Sequence, residues 1–314
     1  MKRFKNILYF ADGAVDTTTA LDRAVNLARS NHARLTVLDV LAESDSPAEI
    51  EKRFGTDLNG ILRERRHEML KALVAPFNEA DAVIYTRVLT GNPFVEAIRA
   101  VLRNGYDLVI KAARPPEGFS ERMLGSADMH LLRKCPCPVW IDRPGAAFPY
   151  RTVLAAVDPV GAETRGCGQL IMDLSISLAQ RESAGLAVVH AWRPFGESML
   201  RNGRARVSAV ELEGILEQTR GHHRQRLDAL LSGYGLKTGD SRVHLVKGQP
   251  APCIRALSEE LQADLIVMGT VGRVGIPGVF IGNTAEEVLQ TTRASILAVK
   301  PEGFVSPVTL PPGG

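Results

Sequence analysis

The residues best suited to chemistry in this chain of 314 residues are glycines that follow an apolar run near its C-terminal end. Gly269 and Gly272 are separated by two residues, and Gly282 follows after nine more. Glycine lets main-chain N–H groups approach an anion without a β-carbon in the way. Asn283 is a good N-cap, so a helix is predicted to begin there, with free N–H groups and a dipole that favour a phosphate. The spacing therefore predicts a phosphate-binding loop.

Three further residues bear on this loop. Glu286 stands three residues after Asn283, where it would complete a capping box, and Arg273 would add a cation at the rim. Asp158 ends an earlier apolar strand and is expected at the same sheet edge, where it can accept hydrogen bonds from an adenine amino group or a ribose hydroxyl. The alternative is that the glycines form only a flexible connection closed by a helix cap.

Other kinds of site find less support. No Gly-x-x-x-x-Gly-Lys-Ser/Thr run is present, and no order of Ser, His, Asp or Cys argues for a catalytic group. His222 and His223 are adjacent on a predicted helix and cannot face one metal, so both are interpreted as solvated positions. His190 is predicted to be a satisfied core histidine, and His130 a buried, hydrogen-bonded one. No catalytic residue and no metal site are predicted.

The chain contains an internal sequence repeat. Gly125 matches Gly282 at an offset of 282 − 125 = 157 residues, and several other segments match at the same offset. The first half has Lys111 and Arg114 where glycines are expected, which predicts a degenerate nucleotide loop. The alternative is that these two cations, beside Gly125, hold an acidic ligand through their side chains.

Each half contains five short apolar runs separated by segments with helical periodicity. Runs without polar alternation are typical of parallel strands buried on both faces. The fold class is therefore α/β, with two tandem doubly wound parallel-sheet domains of the Rossmann-like kind. The predicted domains are residues 1–143 and 150–301, and the proline- and glycine-rich residues 302–314 are predicted to be a flexible tail.

Composition limits the partners and the compartment. A formal charge of +3 is too small to indicate nucleic-acid binding, and no apolar run approaches the roughly 20 residues of a membrane span. The cysteines lack the spacing of zinc or redox motifs, so reduced structural thiols and a cytoplasmic location are expected. They are Cys135, Cys137, Cys167 and Cys253.

The second half resembles the universal stress protein domain, whose ATP-binding members carry Gly-x2-Gly-x9-Gly-(Ser/Thr) after the fourth strand. Here the motif reads Gly269-Thr-Val-Gly272, nine residues, then Gly282-Asn283. The whole chain resembles a tandem member of the bacterial E type, judged also by the run His130-Leu-Leu-Arg-Lys-Cys-Pro-Cys-Pro-Val-Trp140. Asn283 stands where the family usually has a hydroxyl residue, although Thr284 offers a hydroxyl one position later.

The resemblance implies contacts with an adenine nucleotide, ATP or AMP with or without Mg²⁺. The adenosine would contact Asp158, Ala191 and Met268. The ribose and phosphates would contact Gly269, Val271 and Gly272. The phosphates would also contact the helix start at Gly282, Asn283, Thr284 and Ala285.

The expected function is that of a stress-response protein which binds its nucleotide as a regulatory or binding module. Its expected assembly is a homodimer of tandem chains, and the last strands of the two halves, near residues 138–141 and 295–299, are expected to meet within one chain. One alternative is a slow ATPase or phosphotransferase, for which Asp158 and Glu286 are the only carboxylates placed by sequence. Another is a scaffold that binds no nucleotide.

Overall fold

The computed structural model describes residues 4–13, 18–42, 55, 57–77, 83–114, 124–160, 166–194, 196–197, 208–270 and 281–311. Within these ranges the first half contains β1 (Asn6–Phe10), α1 (Thr18–Asn31), β2 (Arg34–Leu41), α2 (Leu58–Val74), β3 (Ile84–Thr90), α3 (Pro93–Asn104), β4 (Leu108–Ala112), α4 (Ser126–Lys134) and β5 (Val139–Asp142). The second half contains β6 (Thr152–Ala156), α5 (Cys167–Glu182), β7 (Gly185–Trp192), α6 (Ala209–Leu231), β8 (Val243–Lys247), α7 (Pro250–Glu260), β9 (Leu265–Gly269), α8 (Asn283–Thr291) and β10 (Ser295–Val299). None of these helices is long and apolar enough to cross a membrane.

The described strands form one sheet of ten, in the order β3-β2-β1-β4-β5-β10-β9-β6-β7-β8. Every neighbouring pair is parallel except β5 and β10, which run antiparallel with Trp140 opposite Leu297. Apolar clusters cover both faces of the sheet, which explains why the strands lack polar alternation. The predicted α/β fold class is confirmed, and so is the meeting of the last two strands within one chain.

A buried polar network crosses the junction between the halves. The Asp142 carboxylate at the end of β5 accepts hydrogen bonds from the Tyr150 hydroxyl at 2.8 Å and the Ser295 hydroxyl at 2.9 Å. The Arg23 guanidinium of α1 lies 2.9 Å from the same carboxylate oxygen. Burial raises the pKa of Asp142, and the charge of Arg23 opposes that rise. Since an unpaired buried carboxylate is costly, these contacts explain how Asp142 is tolerated there.

Each half also reaches into the other with the residue that follows its last strand. The Lys300 ammonium donates to the Leu132 carbonyl oxygen at 2.5 Å, at the C-terminal end of α4. The Arg143 guanidinium donates to the Leu289 carbonyl oxygen at 2.8 Å, near the end of α8. Both donor and acceptor positions are related by the repeat offset, since 300 − 143 = 289 − 132 = 157. The two contacts form a reciprocal clasp that satisfies carbonyl groups left open at helix ends.

The tail expected at residues 302–314 makes contacts with the first half over its described part, which ends at residue 311. The Ser306 hydroxyl donates to the Lys134 carbonyl oxygen at 2.7 Å. The Arg99 side chain donates to the Thr309 carbonyl oxygen at 3.2 Å. The tail is anchored at these two points, and its flexibility stays a prediction.

The clasp generates a prediction about alkaline pH. Burial lowers the pKa of Lys300 from 10.5 to about 8, so the unfolded chain binds more protons than the folded chain between those values. The free energy of unfolding of the unaltered chain, relative to Lys300→Met, should therefore rise from pH 8 to pH 10 by about 2 kcal/mol. Urea unfolding of both proteins at pH 8, 9 and 10 measures the difference. A difference that falls across this range would contradict the assignment.

Candidate functional site

The carboxyl ends of three neighbouring strands form the edge where the predicted ligand residues lie. Ala156, the last residue of β6, pairs with Met268 of β9 on one side and with Val189 of β7 on the other. The chain leaves β6 toward β7 and leaves β9 toward β10, in opposite directions along the sheet. Ligands of open α/β sheets bind at such a switch point, so this edge is the candidate site.

The start of α8 is tied to this edge. The Gly282 N–H donates to the Thr270 carbonyl oxygen at 2.8 Å, immediately after β9. Helix α8 begins at Asn283, and its N-cap residue, Gly282, has no side chain that could cap the first turn. The positive end of the helix dipole therefore lies beside the carboxyl end of β9, as an anion site requires.

The capping prediction is wrong in two respects. Gly282, and not Asn283, is the N-cap residue, and its φ of −65° and ψ of 144° are open to any residue. Asn283 is the first helical residue and is exposed. The Glu286 carboxylate does not complete a capping box, because it lies 2.6 Å from the Arg133 guanidinium of the first half. A contact between halves thus overrides the local capping rule.

Glycine at position 269 avoids a tight steric contact. Gly269 is the last residue of β9 and is not among the described glycines with positive φ. A β-carbon built there would lie 3.1 Å from the Cys167 sulfur at the start of α5. The backbone freedom of glycine, expected from the sequence, therefore does not explain why glycine stands at position 269.

The described site residues differ in burial. Asp158 is half-buried, and its carboxylate accepts a hydrogen bond from the Val160 N–H at 3.3 Å. The structure brings together at one edge Asp158, Ala191, Met268, Gly269, Gly282, Asn283, Thr284 and Ala285, of which Met268 and Ala285 have buried side chains. Val271, Gly272 and Arg273 lie outside the described residues.

Two surface grooves of about 660 and 380 Å³ lie elsewhere, along the outer strand β3 of the first half. Their walls come from α2, from β1, β2 and β3 and from the end of α3, and they contain none of the predicted ligand residues. We place the candidate site at the β6 and β9 edge, because an uncapped helix start and a strand switch point meet there.

The sheet register corrects the alignment of the first half. Ala112 pairs with Asp142 in β5 as Gly269 pairs with Val299 in β10. Ala112 is therefore the counterpart of Gly269, and Lys111 is the counterpart of Met268, not of a glycine. The offset of 157 residues holds from Ala112 to Gly125, so no residue is inserted; taking Arg114 instead of position 115 as the counterpart of Gly272 displaced the alignment by one residue.

The Lys111 side chain fills the equivalent edge of the first half. Only 2% of Lys111 is exposed, and its ammonium lies 3.0 Å from the Asp12 carboxylate and 2.6 Å from the Asp128 carboxylate. Asp12 follows β1 as Asp158 follows β6. Two carboxylates on one ammonium leave an excess of negative charge, which disfavours the alternative that Lys111 holds an acidic ligand.

Asp128 was missed by sequence reasoning. It lies in the first turn of α4, two residues after Ser126, where the backbone N–H of Arg114 also donates to it at 3.3 Å. The sequence feature that could have indicated Asp128 was Lys111, because a lysine inside an apolar strand requires a buried partner.

The structure agrees with one of the histidine predictions and contradicts another. His190 is buried, as predicted, and its Nδ1 lies 3.1 Å from the Val157 carbonyl oxygen. His223 is also buried, so its interpretation as a solvated position is wrong. Its ring packs 5.9 Å from that of Trp192, and its Nδ1 lies 2.8 Å from Nε2 of His190. Helical periodicity could not reveal this partner, which comes from β7.

His130 is half-buried and stacks on Phe94 with ring centroids 4.1 Å apart. It is thus less buried than predicted, and its Nδ1 has no hydrogen-bond partner in the part of the chain that the structure describes. Among the same residues, no three His, Cys, Asp or Glu side chains are arranged to hold a metal ion.

Comparison with known proteins agrees with this architecture. The model of the universal stress protein family matches residues 3–143 and again residues 149–300. The chain belongs to the universal stress protein family. It is 30% identical to universal stress protein E of Escherichia coli K12, over 99% of this chain and 98% of that relative. The universal stress protein E homolog of Haemophilus influenzae is 27% identical over 95% of this chain and 98% of its own length.

Solved structures share the fold over nearly the whole chain. A protein of unknown function from Pseudomonas aeruginosa PAO1 has a TM-score of 0.70 and 25% identity, covering 96% of this chain and 95% of that one. A universal stress protein from Archaeoglobus fulgidus has a TM-score of 0.60 and 17% identity, covering 95% and 99%. The chain is thus a tandem universal stress protein of the E type, and it is a stress-response protein.

The Lys111 ion pairs generate a prediction about stability. Lys111→Met installs the residue that the second half has at this position, but it leaves the Asp12 and Asp128 carboxylates without their shared cation. The free energy of unfolding at pH 7 should fall by about 3 kcal/mol, because breaking a buried pair leaves uncompensated charge. Guanidinium unfolding measures the loss, and adding Asp128→Asn to the variant should recover part of it. A loss below about 1 kcal/mol, with no recovery, would contradict the ion-pair account.

Proposed function

We propose that this universal stress protein binds one adenine nucleotide, ATP or AMP with or without Mg²⁺, in its second half and acts as a regulatory or binding module. The observation that carries the proposal is the difference between two equivalent sheet edges. The first is filled by the ion-paired Lys111, whereas the second has Met268 at that position. A phosphate can approach the edge of the second half, where Met268 replaces the lysine. It cannot displace Lys111 from the edge of the first half, because the carboxylates there already neutralise that lysine.

The described residues fit a nucleotide at this edge. In the proposal, Asp158 accepts hydrogen bonds from the adenine or ribose, with Ala191 and Met268 bordering the adenosine. The phosphates lie at the uncapped start of α8, formed by Gly282–Ala285, where N–H groups and the dipole favour negative charge. Gly269, at the end of β9, has no β-carbon and so accommodates the Cys167 sulfur at this edge. Val271 and Gly272 stay part of the proposed site.

A binding role is favoured over the slow ATPase or phosphotransferase. Such an enzyme needs a carboxylate near the terminal phosphate to hold a metal or orient the nucleophile. Glu286 is engaged with Arg133 at 2.6 Å, which leaves Asp158 as the sequence-predicted candidate. Binding without turnover needs no such group, and occupancy of the switch-point edge can alter the loops that surround it.

Charge at the start of α8 tests the proposed site. Asn283→Asp adds a carboxylate to the first helical turn, which favours the helix itself by about 0.3–1 kcal/mol but repels phosphate. Calorimetry of the unaltered chain should give one ATP or AMP per chain, and Asn283→Asp should weaken the affinity at least ~10-fold, or about 1.4 kcal/mol, without loss of stability.

Ser126→Asp is the matched control, because Ser126 is the exposed first residue of α4 at the equivalent position, 283 − 157 = 126. It should leave the affinity and the stoichiometry unchanged. Absence of binding by the unaltered chain would favour the nucleotide-free scaffold. Phosphate release that disappears in Asn283→Asp would favour the enzyme.

Assembly as a homodimer of tandem chains, in a reducing cytoplasm, belongs to the same proposal. The described cysteines are free thiols, which suits that compartment. Strands β5 and β10 already pair within the chain, so a second chain must use another surface. Sedimentation velocity should give about twice the chain mass of 34.1 kDa. A single species at the mass of one chain, over the concentration range of the experiment, would rule the dimer out.

A further inference from the structure

The antiparallel junction places one end of the first half beside the nucleotide edge of the second half. Because β5 and β10 run in opposite directions, Val139 at the start of β5 pairs with Ala298 near the end of β10. The C-terminal end of α4 and the short turn that leads to β5 therefore lie next to the carboxyl ends of β9 and β10. That turn consists of Cys135, Pro136 and Cys137.

Cys135 and Cys137 form a thiol pair. Their sulfur atoms lie 3.5 Å apart, and one thiol donates a hydrogen bond to the other. Both are free thiols, and Pro136 between them restricts the backbone. Cys135 is fully buried, whereas 9% of Cys137 is exposed. A disulfide has a sulfur separation of about 2.05 Å, so the two sulfurs need to approach each other by about 1.5 Å.

The charge of Lys300 acts on this thiol pair. Burial opposes ionisation of Cys135, but the hydrogen bond from Cys137 and the charge of Lys300 outweigh it and lower the pKa of Cys135. The same hydrogen bond raises the pKa of Cys137. The pair therefore loses its first proton from Cys135 and keeps the second proton between the two sulfurs. A thiolate is the form of cysteine that reacts with oxidants.

The second half shows that the fold does not need sulfur at this turn. Positions 135 and 137 correspond to Thr292 and Ala294, since 292 − 135 = 294 − 137 = 157. There the Ala294 N–H donates to the Thr292 hydroxyl at 3.2 Å, between the end of α8 and the start of β10. The thiol pair thus stands in the copy of the turn that lies beside the nucleotide edge, and packing alone does not account for it.

A line of hydrogen bonds leads from the end of α4 to the start of α8. The Lys300 ammonium donates to the carbonyl oxygens of Leu132 and Arg133, at 2.5 and 3.3 Å, in the last turn of α4. It also donates to the Thr270 hydroxyl at 2.7 Å. The Thr270 carbonyl oxygen accepts from the Gly282 N–H at 2.8 Å. One ammonium thus holds both the helix that precedes the thiol pair and the residue that fixes the proposed phosphate site.

Oxidation of the thiol pair by a hydroperoxide needs no further reactant. When the oxidant meets Cys137, the proton between the sulfurs moves to Cys135, and the Cys137 thiolate attacks the O–O bond. That bond breaks, Cys137 becomes a sulfenic acid, and the leaving oxygen takes a proton from solvent. The Cys135 sulfur then attacks the sulfenic sulfur, and the hydroxyl group leaves as water with the Cys135 proton. The two sulfurs are oxidised by two electrons in total, and the hydroperoxide is reduced to an alcohol, or to water, plus one water.

We propose that Cys135 and Cys137 are an oxidation site, at which a hydroperoxide converts the two thiols into a disulfide that loosens the hold of Lys300 on the start of α8. The oxidation site stands apart from the proposed function, whereas its effect on nucleotide affinity rests on that function. A ring closed across one intervening residue is strained, so the disulfide is readily reduced and the change is reversible.

Two consequences of the disulfide loosen Lys300. Burial lowers the pKa of Lys300 and the charge of Cys135 opposes that fall, so loss of the thiolate removes a charge that favours the ammonium. Disulfide formation also displaces Cys135, whose N–H donates to the Leu131 carbonyl oxygen at 2.9 Å and closes the last turn of α4. The carbonyl groups that accept from Lys300 lie in that turn.

Mass spectrometry of the whole chain, before and after a small excess of hydrogen peroxide, tests the oxidation site. The unaltered chain should lose two hydrogen atoms, proteolysis should map the link to Cys135 and Cys137, and dithiothreitol should restore the original mass. Cys253 is an internal comparison, because it is more exposed than either member of the pair but burial raises its pKa. Oxygen added to Cys253 before the pair reacts would overturn the inference, because exposure alone would then decide reactivity.

Two variants remove the pair by installing residues of the second half. Cys135→Thr and Cys137→Ala copy Thr292 and Ala294, which occupy the same turn. Neither variant should lose two hydrogen atoms, whereas the matched control Cys253→Ser should still do so. Persistence of the loss in either pair variant would overturn the inference. The link mapped in the unaltered chain decides the question even if neither variant folds.

Hydrogen exchange at the start of α8 tests the loosening of Lys300. The amide of Gly282, which Thr270 holds, should exchange at least ~3-fold faster in the oxidised unaltered chain and recover after reduction. Cys135→Thr treated with the same peroxide should show no change, and it controls for oxidation elsewhere in the chain. Equal exchange of this amide in the oxidised and reduced unaltered chain would overturn the link to α8.

Calorimetry with ATP on the same samples separates failure of the inference from failure of the proposed function. Oxidation should raise the dissociation constant of the unaltered chain at least ~3-fold and leave that of Cys135→Thr unchanged. An oxidised chain that binds ATP as tightly as the reduced chain would overturn the effect on affinity. If the reduced chain binds no nucleotide, the proposed function fails, and the mass and exchange measurements still decide the oxidation site.

Discussion

The antiparallel pairing of β5 with β10 is the contact on which the rest of the molecule depends. It joins two parallel sheets into one and covers the strand edges that would otherwise be open to other chains. The same contact brings each half close enough for Lys300 and Arg143 to reach the helix ends of the opposite half. It also buries Asp142, which is tolerable only because Arg23, Tyr150 and Ser295 surround its carboxylate.

Within this symmetric frame the two halves differ in charge. The first half has an ammonium between two carboxylates at its sheet edge and an ion pair, Asp39 with Arg66, behind the loop. The second half has Met268 at the edge and the His190 and His223 pair behind the loop. The backbone is repeated, but at this sheet edge and behind its loop the described ion pairs belong to the first half. A ligand with negative charge is therefore expected to select the other.

The fold was predictable because its signals are local and repeated. The five apolar runs of each half correspond to its five described strands, and the offset of 157 residues aligned the halves from their third strands onward. The site was predictable only in part. The capping role assigned to Glu286 failed because Arg133 from the other half competes for that carboxylate. Asp128 and His223 were missed because their partners, Lys111 and His190, lie on strands distant in sequence.

The central claim is that only the second half offers an edge to an adenine nucleotide. Native mass spectrometry of freshly purified chain measures this most directly, since it counts retained small molecules per chain. The account predicts an added mass of one ATP or AMP for each chain of 34.1 kDa. Two nucleotides per chain would contradict the claim that Lys111 closes the first half, and none, even after incubation with ATP, would contradict the site itself.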